Sequence, residues 1–131
     1  MTGGYGRGPD ILHDCTISVD PGQIAVIVGP NGAGKSTGMK AIFGMLDLRE
    51  GCVGHDGEDI TALSPQARVR KGMGFVPQTA NVFTSMTVEE NPEMGAFIRD
   101  DDISETMAQV FALFPRPADR RGQPAARLAG G

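Results

Sequence analysis

A glycine-rich segment that ends in a lysine and two hydroxyl side chains has the composition of a phosphate-binding site. It reads Gly29-Pro30-Asn31-Gly32-Ala33-Gly34-Lys35-Ser36-Thr37 and fits the spacing G-x-x-x-x-G-K-S. Its glycines let the backbone fold around an anion with N–H groups turned inward. Lys35 can contact β- and γ-phosphates, and the Ser36 hydroxyl can bind the Mg²⁺ that bridges them. This phosphate loop, residues 29–37, therefore predicts a site for a nucleoside triphosphate.

A strand and a helix are expected on the two sides of the phosphate loop. Residues 24–28 form an apolar run rich in β-branched side chains, typical of a strand buried on both faces. Residues 16–19 alternate polar and apolar, as a strand with one buried face does, and residues 20–23 have turn composition. A helix is expected from Lys35 to about Phe43, ended by Gly44, with the positive end of its dipole at the loop.

Shorter elements are expected between this helix and residue 80. Residues 52–55 and 73–76 have the pattern of short strands, and residues 56–59 that of a turn. Residues 65–71 are expected to form a short helix. The first part of the chain therefore has the mixed order of an α/β fold.

Helices are expected in the remainder of the chain. Thr87 and Glu90 have the spacing of a capping box, although Pro92 is expected to kink or fray the helix that follows. A second helix is expected from Asp102, ended by the two prolines after Phe114, with an Arg/Pro/Ala-rich tail beyond. Apolar residues at helical spacing predict its core-facing side: Ile103, Met107, Val110, Phe111 and Phe114.

Composition indicates an ordinary globular domain. The 131 residues are 40% hydrophobic and 21% charged with a net charge of −4, and no long basic tract indicates a nucleic-acid partner. No signal peptide or membrane-length apolar run is recognisable. Cys15 and Cys52 lack metal-ligand spacing, and two reduced, partly buried thiols in a reducing cytosol are expected.

Several segments together resemble the ATP-binding cassette (ABC) ATPases. The phosphate loop resembles their Walker A motif, and four other segments resemble the β-arm turn, the Q-loop strand, the opening of the helical subdomain and the signature motif: residues 56–60, 75–78, 86–91 and 128–131. Residues 56–61, 82–83 and 94–97 are most similar to ATPase subunits of branched-chain amino-acid importers. The resemblance implies an α/β P-loop NTPase core over about residues 1–80 and the start of a helical subdomain over about residues 81–131.

The resemblance also implies the roles of individual residues. Tyr5 would stack on adenine, the alternative being a lone surface tyrosine in a mobile N-terminus. Gln78 would contact Mg²⁺ and the attacking water. The signature Leu128-Ala129-Gly130-Gly131 would act on the partner subunit's nucleotide, with Ala129 in place of the usual serine. The Walker A residues would bind ATP, with Lys35 catalytic and Ser36 on the metal: Gly29, Asn31, Gly32, Ala33, Gly34, Lys35, Ser36 and Thr37.

The implied function is that of the ATPase subunit of a membrane importer. Two such subunits, identical or different, would sandwich ATP and Mg²⁺ and drive permease subunits fed by a solute-binding protein, with no nucleic acid involved. The expected location is cytoplasmic, at the inner face of the cell membrane. The expected cargo is branched-chain or other small amino acids.

Parts of the family pattern are missing from these residues. The Walker B aspartate, the catalytic glutamate and the switch histidine would follow the signature, so we expect these 131 residues alone to bind ATP but not to hydrolyse it efficiently. The strand that normally precedes the adenine-stacking residue is expected to be absent, since only residues 1–4 precede Tyr5. Two alternatives are a non-catalytic nucleotide-binding fragment and another P-loop class. A GTPase is disfavoured because no Asn-Lys-x-Asp motif is present.

Overall fold

The computed structural model describes residues 1–79 and 81–128 and divides the chain into two compact units. The first unit runs from Met1 to Phe75, and the second begins at Val76. The first contains β1 (Thr2–Gly4), β2 (Asp10–Leu12), α1 (Lys35–Ile42), β3 (Asp47–Glu50), β4 (Gly54–His55), β5 (Glu58–Asp59) and α2 (Pro65–Arg70). The second contains α3 (Glu90–Gly95), α4 (Ser104–Leu113), α5 (Pro115–Ala118) and a 3₁₀ helix (Ala125–Arg127).

A three-stranded antiparallel sheet in the order β2-β1-β3 begins the first unit. Its central strand β1 precedes Tyr5, so the expectation that no strand would precede this residue is wrong. The strand is short but has partners on both sides, since β2 follows after a tight loop and β3 returns after α1. Leu12, Ala41 and Leu46 are buried together beside this sheet, with Met1, Cys15 and Leu48 packed against them.

Helix α1 follows the phosphate loop as predicted and ends in a Schellman motif. Gly44 has a φ of +79°, which glycine adopts without strain. Its N–H donates to the carbonyl of Ala41 at 3.0 Å, and the N–H of Met45 donates to the carbonyl of Lys40 at 2.8 Å. The predicted end of the helix at Gly44 is therefore confirmed.

The β4–β5 hairpin and helix α2 follow within the first unit. The predicted turn at residues 56–59 is confirmed for Asp56 and Gly57, which form a two-residue loop with positive φ values of 49° and 79°, and is wrong for the last two residues, which form β5. Of residues 52–55, only the last two are in a strand. Helix α2 matches the predicted short helix, and the Ser64 hydroxyl caps it by accepting from the N–H of Ala67 at 3.3 Å.

Three predicted strands are wrong for the described part of the chain. Residues 16–19, 24–28 and 73–76 have no ladder partners there and are not strands. Residues 24–28 are also exposed rather than buried on both faces: Ile24 by 92%, Val26 by 78% and Val28 by 84%. A β-strand is stable only when a neighbour accepts its hydrogen bonds, and none of the described residues does so here.

The second unit confirms the capping box at the start of α3. The N–H of Glu90 donates to the Thr87 hydroxyl at 3.1 Å, and the N–H of Thr87 donates to the Glu90 carboxylate at 2.7 Å. Hydrogen bonds from Thr87 to the carboxylate, first from its backbone and then from its side chain, lower the pKa of Glu90. Pro92 is the third residue of α3, and the helix continues past it to Gly95.

Helix α4 is less buried than its apolar pattern predicts. Of the five residues on the expected core side, only Phe111 is buried, and Phe114 is 58% exposed. Arg121 lies 4.0 Å above the Phe111 ring and partly covers it. The prolines end α4 as predicted, but α5 and the 3₁₀ helix add short turns within the expected tail.

Two further observations concern the thiols and the membrane. Cys15 is half-buried, but Cys52 is exposed, so the expectation of partial burial is wrong for the second thiol. None of the helices in residues 1–79 and 81–128 combines the length and hydropathy needed to cross a bilayer.

Candidate functional site

The backbone of the phosphate loop adopts the left-handed geometry that its glycines predict. Gly32 and Gly34 have φ values of +87° and +82°. No atom lies within 4 Å of where a Cβ would stand at either position, so glycine is needed there for its conformation and not for space. The chain turns at Gly34 directly into α1.

The start of α1 presents unpaired backbone donors to the loop. The first N–H groups of any helix lack acceptors within the helix, here those of Lys35, Ser36 and Thr37. Gly34 precedes them and makes no side-chain capping bond. Free donors at the positive end of a helix dipole suit a phosphate group.

The Lys35 side chain is folded over the phosphate loop. Its Nζ donates to the carbonyls of Gly29 at 2.7 Å and Pro30 at 2.6 Å. The ammonium group is thus held at the start of the loop by two of its three N–H donors, which leaves one donor for a further acceptor. Ser36, one residue further along α1, is exposed, and its hydroxyl fits the role of a magnesium ligand.

A cavity of about 500 Å³ lies next to the loop within the first unit. Ala33, Gly34, Lys35 and Gly38 line one side of it. The other lining residues come from two segments, residues 11–17 and the pair Ile27 and Val28. The first turn of α1 therefore borders open space.

Tyr5 is in a loop that side chains from β3 hold in place. The N–H of Gly6 donates to the Asp47 carboxylate at 2.9 Å. Arg49 donates to the carbonyls of Gly6, at 3.0 Å, and Gly8. The same guanidinium is paired with Asp10. These bonds disagree with a mobile N-terminus, whereas the 47% exposure of the Tyr5 side chain leaves its ring free to stack on a base.

The other predicted site residues belong to the second unit. Gln78 is exposed, in a segment without regular secondary structure. Leu128 is half-buried at the end of the 3₁₀ helix and lines a cavity of about 580 Å³ within this unit. Ala129, Gly130 and Gly131 of the predicted signature lie outside the described residues. The roles of Tyr5, Gln78 and the signature stay predictions.

Sequence reasoning missed a buried arginine behind the phosphate loop. Arg68 is 1% exposed and donates to backbone carbonyls at the end of α1 and before α2. No motif marks it, because its acceptors are backbone atoms that any residue supplies. The loop contacts of Asp47 and Arg49 were missed for the same reason.

Carboxylates are not clustered in a way that suggests a bound metal. Within residues 1–79 and 81–128 no group of three or more His, Cys, Asp or Glu side chains is arranged to hold an ion. The Ser36 hydroxyl stays the predicted Mg²⁺ ligand at the phosphate loop.

Comparison with known proteins gives one consistent family. The family model described as ABC transporter matches residues 12–131. The high-affinity branched-chain amino acid transport ATP-binding protein BraG of Pseudomonas aeruginosa is 39% identical over 121 residues, which are 92% of this chain and 52% of that protein. The probable branched-chain amino acid transport ATP-binding protein LivF of Archaeoglobus fulgidus is 37% identical over 122 residues, with the same coverage of 92% and 52%.

Solved structures agree with this assignment. The ATP-binding subunit of an ABC transporter matches with a TM-score of 0.77 and 28% identity, covering 95% of this chain and 52% of that one. A nucleotide-free ATP-binding cassette from an ABC transporter matches with a TM-score of 0.74 over 98% of this chain and 56% of the other. The predicted α/β P-loop NTPase fold is confirmed, and the chain spans about half the length of the relatives it matches. This protein belongs to the ABC transporter family.

Proposed function

We propose that this chain binds ATP with Mg²⁺ at residues 29–37 and acts within an ABC ATPase that powers the uptake of branched-chain or other small amino acids. One observation carries the nucleotide site: the uncapped N-terminus of α1 faces a glycine loop over which Lys35 is held. The family membership supports ATP as the ligand. The names of one bacterial and one archaeal relative, both branched-chain amino acid transport ATP-binding proteins, support amino acids as the transported solute.

The proposed site divides the nucleotide between two loops of the first unit. The phosphates bind the N–H groups at the start of α1 and the Lys35 ammonium, and Ser36 supplies a hydroxyl to Mg²⁺. The metal, when bound, neutralises phosphate charge. Adenine stacks on Tyr5, whose loop is fixed by Asp47 and Arg49. Stacking without base-edge hydrogen bonds gives only loose selectivity among bases.

The proposed assembly has a second ATPase subunit and permease subunits. Residues 128–131 would contact the nucleotide of the second subunit, and Gln78 would contact the metal and the water. Exposed apolar side chains of the second unit, Val82, Phe83 and Phe97, are compatible with a protein partner. This arrangement places the chain at the cytoplasmic face of a membrane, with a solute-binding protein on the other side.

ATP binding is tested by calorimetry on the 131-residue chain with Mg²⁺. We expect Lys35→Ala to weaken ATP binding by about tenfold to a hundredfold, since charge-assisted hydrogen bonds contribute about 1.5–3 kcal/mol. Lys40→Ala is the matched control, because Lys40 is on the same helix but in its last turn. Equal affinities of the wild type and Lys35→Ala would contradict the site, and a strong preference for GTP would contradict the choice of ATP.

The transport proposal needs a separate measurement in cells. Lys35→Ala in the chromosomal copy should reduce uptake of radiolabelled leucine, isoleucine or valine, while Lys40→Ala should not. ATP binding without any loss of amino-acid uptake would favour the alternative, a nucleotide-binding fragment with no transport role.

A further inference from the structure

We propose that Arg68 is a positioning residue for ATP, acting by holding the C-terminal end of α1 so that Lys35 and Ser36 at its other end stay aligned with the phosphates. The inference rests on the proposed nucleotide site. Arg68 itself is at the opposite end of α1 and touches no residue of the phosphate loop among its hydrogen bonds.

The guanidinium of Arg68 is surrounded by backbone carbonyls. Nη1 donates to Ile42 at 2.5 Å and to Ala41 at 3.4 Å, both in the last turn of α1. Nη2 donates to Thr61 at 2.8 Å, and Nε donates to Leu63 at 3.0 Å. We call Arg68 and these four carbonyls the Arg68 cluster.

The Arg68 cluster completes the end of α1. The Schellman motif satisfies the carbonyls of Lys40 and Ala41, so the carbonyl of Ile42 needs another donor. Arg68 supplies it and adds a positive charge at the negative end of the helix dipole. No carboxylate is paired with Arg68 in the described part of the chain, so its hydrogen-bond partners there are the four backbone carbonyls, two of them in α1.

Gly44 is fitted to the Arg68 side chain. A Cβ at this position would stand 2.9 Å from Nε and 3.0 Å from Cζ of Arg68. Because Gly44 has no side chain, the residue that ends the helix also leaves room for the guanidinium of Arg68. Burial lowers the pKa of Arg68, although an arginine remains charged at neutral pH.

The cluster connects α1 to the β4–β5 hairpin. The Thr61 hydroxyl accepts from the N–H of Val53 at 2.8 Å and donates to the Asp59 carboxylate at 2.6 Å. Ile60, between them, is fully buried. A helix of eight residues that is fixed at one end to a hydrogen-bonded hairpin has little freedom to rotate or slide at the other.

The distance from cluster to loop is short enough for this coupling. Eight residues at about 1.5 Å each make α1 about 12 Å long. A small tilt at Ile42 therefore displaces the N–H groups at Lys35 and Ser36. Such displacement weakens phosphate binding even in molecules that are fully folded.

The test compares ATP and inorganic tripolyphosphate affinities of folded variants by calorimetry with Mg²⁺. Arg68→Met keeps the approximate length and the apolar part of the side chain. Arg68→Lys keeps the charge but lacks the planar guanidinium that donates to several carbonyls at once. We expect both ligands to bind about threefold to thirtyfold more weakly to Arg68→Met, with partial rescue in Arg68→Lys. Ile60→Val, which trims the same neighbourhood without removing a donor to α1, should bind as the wild type does.

Three outcomes would overturn the proposal. One is unchanged affinity in folded Arg68→Met, and another is an equal loss in Ile60→Val, which would make the effect general. If Arg68→Met does not fold, the affinity of Arg68→Lys is measured in its place. The third overturning outcome is that Arg68→Lys then binds both ligands with wild-type affinity. Lys35→Ala is measured beside them: if it binds as the wild type does, the nucleotide site itself fails, independently of Arg68.

Discussion

The two segments that flank the phosphate loop differ sharply in how the rest of the first unit supports them. Before the loop, residues 24–28 are apolar yet exposed, with Val28 at 84%, and have no ladder partner among the described residues. After it, α1 ends in a Schellman motif and in the buried Arg68 cluster. This difference indicates that the end of α1 can be completed by residues of the same unit within 27 positions, whereas a central strand needs neighbouring strands that none of the described residues supplies.

Truncating a buried side chain near the Arg68 cluster and an exposed one before the phosphate loop gives the largest expected contrast in stability. Ile60→Ala should lower the free energy of unfolding by about 2–5 kcal/mol, because its side chain is completely buried. Val26→Ala should change it by less than about 0.5 kcal/mol, because Val26 is 78% exposed. Urea unfolding followed by circular dichroism measures both.

Equal costs for the two variants would break this comparison, since they would mean that residues 24–28 are packed. Ile60→Val provides a milder variant should Ile60→Ala fail to fold. It should cost about 0.5–1.5 kcal/mol.

Two glycines with similar φ values allow the stability cost of backbone strain to be measured separately from the cost of a steric contact. Gly44 and Gly22 have φ values of +79° and +77°, but only Gly44 has neighbours where a Cβ would stand. Gly22→Ala should cost about 1 kcal/mol, from backbone strain alone. Gly44→Ala should cost about 1–3 kcal/mol more, because the methyl group meets Arg68. Thermal unfolding of both variants checks the difference, and identical midpoints would mean that the added methyl group at position 44 does not meet Arg68.

Gly38, inside α1, offers a smaller effect of opposite sign. A Cβ there meets no atom within 4 Å, and the position borders the 500 Å³ cavity. Gly38→Ala should therefore stabilise the chain by about 0.5–1 kcal/mol through helix propensity. Denaturation midpoints measure the gain. A loss of stability instead would indicate that apolar side chains fill the cavity in solution. Those of residues 24–28 are the nearest, since Ile27 and Val28 line it.

The smallest expected effect is a loss of stability at acid pH, and it comes from Asp59 in the β4–β5 hairpin. Hydrogen bonds from Thr61, first the hydroxyl and then the N–H, lower the pKa of Asp59 below its ordinary value of 3.8. A carboxyl whose pKa is lowered by folding stabilises the fold above its unfolded value. That contribution disappears as the pH falls through the lowered value. The amide shift of Thr61 in NMR should follow this titration, and Asp59→Asn should abolish it.

Those elements that depend on neighbours in sequence were predictable. The end of α1 at Gly44, the turn at Asp56 and Gly57 and the Thr87–Glu90 capping box each use residues close together in sequence, and the structure confirms all three. In each case the sequence pattern contains both the donor and the acceptor of the hydrogen bonds that form the element. The phosphate loop was recognised for the same reason.

Elements that depend on distant partners were not predictable to the same degree. The apolar run at residues 24–28 has the composition of a central strand, but composition does not supply the strands that must lie beside it. The relatives are about twice as long, since the chain covers 52% of them. Arg68 was missed because its acceptors are carbonyls, which have no sequence signature.

The Arg68 cluster also has a consequence for the order of folding during synthesis. Its hydrogen bonds join residues separated by 27, 26, 7 and 5 positions, all of them N-terminal to Arg68. Contacts of such modest separation form quickly, and chains emerge from the ribosome N-terminus first. The helix behind the phosphate loop can therefore be secured once Arg68 is clear of the ribosome, before the second unit, which begins at Val76, has emerged from it.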